Sequence, residues 1–162
     1  MSGRGNSLDS CAKALDVIRR RTGQGSGSPD ARTLEIEIEH VVQVEVRVAD
    51  DQRLLLRAPL HDFAGRVGRG IMTEMLKANA YGQATGAARL ALDRDDDRPI
   101  LLMSISVGLH DEASLIDSVI DFMNHAAYWQ TVGTDDLEAL REKARTSLPT
   151  SDRWDDVVLV RL

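Results

Sequence analysis

The chain is expected to fold as an α+β domain: a twisted antiparallel sheet covered on one face by helices. The expected order is helix, three-stranded antiparallel meander, helix, two strands, helix, and then a C-terminal extension. Three observations predict this. Apolar and polar residues alternate with period two in three successive runs between 33 and 60, joined by connections too short for crossover helices. Spacings of three and four mark helices near 7–22, 65–79 and 111–131. Strands and helices do not alternate singly, as a doubly wound parallel sheet would require.

In the first helix, Leu8, Cys11, Leu15 and Ile18 share one face, Ser7 is the expected N-cap, and Arg19, Arg20 and Arg21 place positive charge at the C-terminal end. The stretch GQGSGSPD, 23–30, has the composition of a flexible linker and tethers that helix. TLEIEIE at 33–39 sets Leu34, Ile36 and Ile38 against Glu35, Glu37 and Glu39, and VVQVEVRV at 41–48 repeats the pattern. RLLLRAPL at 53–60 is the third strand, ended by Pro59.

Over 65–79 Val67, Ile71, Met72, Met75 and Leu76 return to helical spacing. A fourth strand is expected at 87–93, then the turn RDDDRP, then a fifth strand at 100–107. The last helix, 111–131, carries Leu115, Val119, Phe122, Ala126 and Trp129, with Ile116, Ile120 and Met123 widening the stripe. Beyond it Asp135 and Glu138 form a capping-box-like pair ahead of a short helix, and WDDVVLVRL closes the chain. The expected organisation is a flexible N-terminus at 1–6, one domain over 7–132 and an extension over 133–162.

At 162 residues the chain is one domain in size, able to remove roughly 70% of its unfolded surface from water. A net charge of −6 argues against nucleic acid, whose phosphates need a surplus of Lys and Arg. No apolar run reaches the ~20 residues of a membrane span, and MSGRGNS lacks the apolar core of a signal peptide. The single cysteine, Cys11, excludes an internal disulfide and fits a cytoplasmic location.

Motifs that could carry chemistry are weak. GQATGA, 82–87, follows a helix and precedes a strand, the reverse of the phosphate-binding order, and lacks the Lys-Ser/Thr of a Walker loop. GRVGRG, 65–70, has no βαβ unit around it. His40, His61, His110 and His125 show no metal-ligand spacing, so no metal or other cofactor is expected. Ser104 and Ser106 alternate along a strand without a nucleophile elbow. Asp95, Asp96 and Asp97 read as a solvated hairpin turn, and Cys11 as a small hydrophobe on the helix stripe.

The stretch LKANAYGQATGAARLALDRDDDRPILLMSISVGL, together with RLLLRAPL and LIDSVIDFMNHAAYWQ, resembles the class I type III secretion chaperones, the family of the Tir chaperone. The likeness covers about 33–131, and the first helix loosely. It departs at Asn79, Ala80 and Tyr81, where two bulky aromatics are more usual, and at Ala84 and Ala87, where Gly is frequent. The resemblance implies a non-enzymatic cytoplasmic homodimer without a cofactor. Such a protein holds the N-terminal segment of a secreted effector in a non-globular state and delivers it to the export apparatus, including its ATPase. The extension leaves room for service to several effectors.

On that footing, Leu15 and Ile18 of the first helix and Leu34, Ile36, Val44 and Leu54 of the sheet are the expected cargo-binding residues, aided by β-strand addition at an open sheet edge. The same positions are also the obvious core. Ile71, Met72, Met75 and Leu76 are the expected dimer contacts, half of which could face their own sheet instead. Gly82 and Gly86 are expected to act as a hinge that lets the middle helix lie against the sheet. The tail 157–162 has the composition to pair with an edge or to occupy the cargo groove. Two other classes remain open: a small-ligand enzyme or sensor using the 82–86 turn, and a dimeric adaptor for a folded partner.

Overall fold

The computed structural model describes residues 10–23, 32–38, 42–60, 67–82, 84–133, 135–137, 139 and 142. The first helix, α1, spans Cys11–Thr22. Its N-cap is Ser10, whose hydroxyl accepts from the Lys13 N–H at 3.3 Å, and not the expected Ser7, which lies outside the described residues. Ser10 is itself extended, so the helix cannot run through it from Ser7. Gly23 ends the helix in the left-handed conformation, so the expected linker begins with a C-cap. Cys11, Ala14, Leu15, Val17 and Ile18 form the buried face.

Three strands follow: β1 (Thr33–Ile38), β2 (Val42–Asp50) and β3 (Arg53–Pro59). They form the expected antiparallel meander, with Leu34 opposite Val46 and Val46 opposite Leu56. A register irregularity between Val48 and Asp50 precedes the turn, where the Asp50 carboxylate accepts from the Gln52 N–H and pairs with Arg53. The middle helix α2 (Arg69–Tyr81) starts later than the periodicity suggests, because Gly68 is extended, and Val67 lies outside the helix. It also runs past Asn79, to Gly82, whose left-handed backbone donates its N–H to Ala78 O.

β4 is short, Arg89–Leu92, and β5 spans Pro99–Ser106. Their turn is the expected acidic hairpin: Asp93 N–H donates to Arg98 O, the Asp93 carboxylate accepts from the Asp95 N–H, and Asp97 takes a positive φ. A 3-10 turn, Val107–Leu109, leads to α3 (Glu112–Gln130). Asp111 and Ser114 form a reciprocal capping box at its start. After α3, Asp135 is itself helical, which removes it from the expected cap position; Glu138 lies outside the described residues.

The sheet order is β1-β2-β3-β5-β4, with every neighbouring pair antiparallel. β5 therefore sits inside the sheet of described strands and β4 forms one margin, with β1 at the other. Leu34, Val46, Leu56 and Met103 form one continuous row on the inner face. α3 crosses this face through Leu115, Val119, Phe122, Ala126 and Trp129, and α1 packs beside it over β1 and β2. Gln130 anchors the end of α3 by donating to the backbone oxygens of Gln43 and Pro59 and accepting from Gln43 N–H. The opposite face is mostly polar, as strict alternation requires.

Candidate functional site

Leu15, Ile18, Leu34, Ile36, Val44 and Leu54 come together, but inside the domain: all six are buried between α1 and the inner face of the sheet. In the single chain they are core. The apolar surface that stays open lies next to them. Ile36 and Ile38 of β1, Ile116, Ile120 and Met123 of α3, and Arg21 and Thr22 at the end of α1 line a groove of about 370 Å³. Ile120 is half exposed there. Sequence reasoning placed the α3 residues on a widened stripe without a role. That width was the signal, because a stripe broader than its packing partner leaves a strip uncovered.

The expected dimer residues divide by helix face. Ile71 and Met75 turn inward and are buried, whereas Met72 and Leu76 are 39% and 69% exposed. With Leu92, which is also exposed, and Leu90 beneath, Met72 and Leu76 border a second, smaller apolar groove of about 200 Å³ between α2 and β4. Asn79 joins the two elements. Its side-chain amide donates to Leu90 O at 2.9 Å and accepts from Leu90 N–H at 2.8 Å. The side chain thus satisfies the margin of β4 much as a neighbouring strand would.

The turn after α2 is packed from α3. Gly82 and Gly86 both have positive φ, and a Cβ on Gly86 would stand 2.6 Å from His125 Nε2. Trp129 Nε1 donates to Ala84 O at 2.7 Å, and Thr85 between them is fully buried. The backbone that a phosphate or other small ligand would have to approach is already in contact with α3 side chains. Among the described residues no three His, Cys, Asp or Glu side chains are grouped to hold a metal, and no helix is long and apolar enough to cross a membrane.

The outer face carries a charge network across the sheet. Glu35 of β1 lies directly opposite Glu45 of β2, which lies opposite Arg57 of β3. Arg57 reaches Glu45 at 3.5 Å and also pairs with the carboxylate of Asp93 beyond β5. The Asp95 backbone N–H, and then Arg57, hold the Asp93 carboxyl below the usual carboxylate range. On the inner side, burial and the neighbouring Asp50 and Asp51 carboxylates push the Cys11 thiol up, and its sulfur donates to their backbone oxygens.

The model of the Tir chaperone protein (CesT) family matches residues 14–130. No curated protein sequence matches the chain. Among solved structures, the chain is similar to one in the ExsC–ExsE complex, with 21% identity, a TM-score of 0.58, and coverage of 74% of this chain and 90% of that one. It is also similar to a chain of the heterodimeric ExoU–SpcU complex from the type III secretion system of Pseudomonas aeruginosa, with 16% identity, a TM-score of 0.54, and coverage of 71% and 93%. A chain of the HopA1–SchA chaperone–effector complex matches with 17% identity, a TM-score of 0.52, and coverage of 71% and 88%. At these identities the likeness is one of fold.

Proposed function

The chain belongs to the Tir chaperone protein (CesT) family, and from this premise we propose that it keeps the N-terminal segments of secreted effectors non-globular until export. It is a type III secretion chaperone and not an enzyme. In the proposed scheme the protein works in the cytoplasm as a homodimer, accepts one or several effectors, and hands each to the secretion apparatus, including its ATPase.

The observation that carries this reading is the open apolar groove bounded by α1, β1 and α3, beside a β1 margin that pairs with no strand among the described residues. Extended polypeptide suits such a place. Its backbone can hydrogen-bond to the margin while alternate side chains enter the groove. Ordering each cargo residue costs about 1–2 kcal/mol of backbone entropy and a buried Leu or Val returns about 1.5–3, so scattered apolar anchors alone would not hold a long rigid segment. Backbone pairing at the margin supplies part of the difference.

Leu15, Ile18, Leu34, Ile36, Val44 and Leu54 act in this scheme as the layer beneath the cargo, and Ile38, Ile116, Ile120 and Met123 as the contact surface. The second groove, with Met72, Leu76 and Leu92, is assigned to the symmetry mate, since an apolar helix face beside a strand margin suits a two-fold, self-complementary contact. Gly82 and Gly86 let α2 fold back against β4 to present that surface.

The test is co-expression of the full chain with the N-terminal segment of an effector from the same secretion system. Light scattering should give the mass of two chains plus the segment. The bound segment should be cut by protease at many sites, as extended chain is. Absence of a complex would overturn the reading, and a compact, protease-resistant partner would favour an adaptor for folded proteins.

A further inference from the structure

The groove bounded by α1, β1 and α3 has an occupant of matching chemistry within the chain itself. The family match stops at residue 130, so the stretch after α3 is not accounted for by the shared fold. The start of that stretch is pinned to the domain: Leu137 is buried in the core, and the Tyr128 hydroxyl donates to Asp136 Oδ2 at 3.1 Å. Residues 143–162 lie outside the described residues and include WDDVVLVRL.

Position, length and composition direct this run to the groove. Gln130, at the end of α3, bonds to the backbone of Gln43, which lies opposite Glu37 in the β1–β2 register. The chain therefore leaves α3 at the end of the sheet where β1 finishes, and there Ile38 lines the groove. From Leu137 to Val157 an extended chain reaches up to about 65 Å, whereas a domain of this size has a radius of gyration of about 14 Å. In an extended run Val158, Val160 and Leu162 share one face, and Val157, Leu159 and Arg161 the other. The first set is wholly apolar and matches Ile38, Ile116, Ile120 and Met123; the second carries Arg161 away from Arg21, which also lines the groove. Asp155 and Asp156, just before the run, complement Arg19, Arg20 and Arg21 in the last turn of α1. Left in water, a Val-rich stretch of this kind is a template for aggregation, which a seat on its own molecule removes.

Resting on the chaperone reading, we propose that residues 157–162 occupy the α1–β1–α3 groove of their own chain, with Val158, Val160 and Leu162 inward, and that an effector segment must displace them to bind. The tail is an intramolecular competitor that keeps the groove covered between cargoes. Tethering holds it at an effective concentration on the mM scale. A tail with an intrinsic Kd of about 0.1 mM then leaves the groove free about a tenth of the time and weakens apparent cargo binding about tenfold.

The test compares three full-length proteins: the natural sequence, Val158→Asp with Val160→Asp, and Val157→Asp with Leu159→Asp. The methyl resonances of Ile116, Ile120 and Met123 report the groove, and titration with an unfolded effector segment reports cargo affinity. The 158/160 variant should shift these methyls and bind the segment about tenfold more tightly. The 157/159 variant adds the same charge on the opposite face and should stay close to the natural sequence in both measurements.

Equal methyl positions in the natural and 158/160 proteins would overturn the proposal, as would equal effects of the two variants. Shifts that fade on dilution would seat the tail of another copy in the groove and overturn it too. Methyl shifts without a gain in affinity would leave the tail seated but not competing, and the inference falls while the chaperone reading stands. If the effector segment binds none of the three proteins, the chaperone reading falls and the competition falls with it.

Discussion

Asp93 shows how much one carboxylate can do in a short hairpin. It accepts from the Asp95 N–H within its own turn and reaches Arg57 two strands away, and these contacts lower its pKa from 3.8. A carboxyl with a depressed folded-state pKa contributes stability that is present above the unfolded value and lost as pH falls through the folded one. Asp93→Asn should therefore lower stability at neutral pH by about 1 kcal/mol, allowing for solvent screening, and flatten the loss of stability below pH 3.8. Urea unfolding of both proteins at several acidic pH values would check this, and parallel acid limbs would refute it. The turn itself was legible in RDDDRP, because Asp and Arg-Pro punctuation has local physical causes. The ion pair to Arg57 was not, since it depends on strand order across the sheet, which alternation does not encode. Cys11 was legible as a small hydrophobe for the same local reason that the structure buries it.

Among the elements, α2 and β4 depend on each other most visibly. β4 is only four residues long, and its margin is completed by the amide of Asn79. Asn79→Ala removes both contacts at once and leaves the Leu90 N–H and C=O short of partners, an expected loss of about 1–3 kcal/mol. Hydrogen exchange should show faster exchange at Leu90 before any change in β2 and β3; uniform loosening of the sheet would argue that the clamp has no local role. Among the described residues, periodicity located the five strands and the helices α1, α2 and α3 to within a few residues. It misplaced the starts of α1 and α2 because Ser10 and Gly68 take extended backbone that a count of apolar spacings cannot register. It also could not tell covered from open positions. Leu34 and Ile38 obey the same alternation, yet Leu34 lies under the helices and Ile38 on a groove wall, a difference set by where α1 and α3 end.

Across the whole molecule the two sheet margins are treated differently. The β4 margin is occupied by α2, and the β1 margin is without a partner strand among the described residues. If the α2–β4 surface joins two copies, Met72→Asp with Leu76→Asp should yield a folded monomer, because both side chains are exposed in the single chain. Desolvated apolar anchors at the centre of an interface typically cost about 2 kcal/mol or more each when lost, enough to raise the dimer dissociation constant by about thirtyfold per site. Sedimentation at micromolar concentration reads this directly, and an unaltered dimer mass would assign the interface to another surface. The inner face also holds Trp129, 4% exposed, wedged between Ala84 O on one side and Gly133 on the other. The chain has two tryptophans, the other being Trp154 in the tail. A dry, hydrogen-bonded indole emits at shorter wavelength than a wet one, so this ring is a built-in optical gauge. Any loosening of the 82–86 turn would redden the light from Trp129 in real time, with no dye attached.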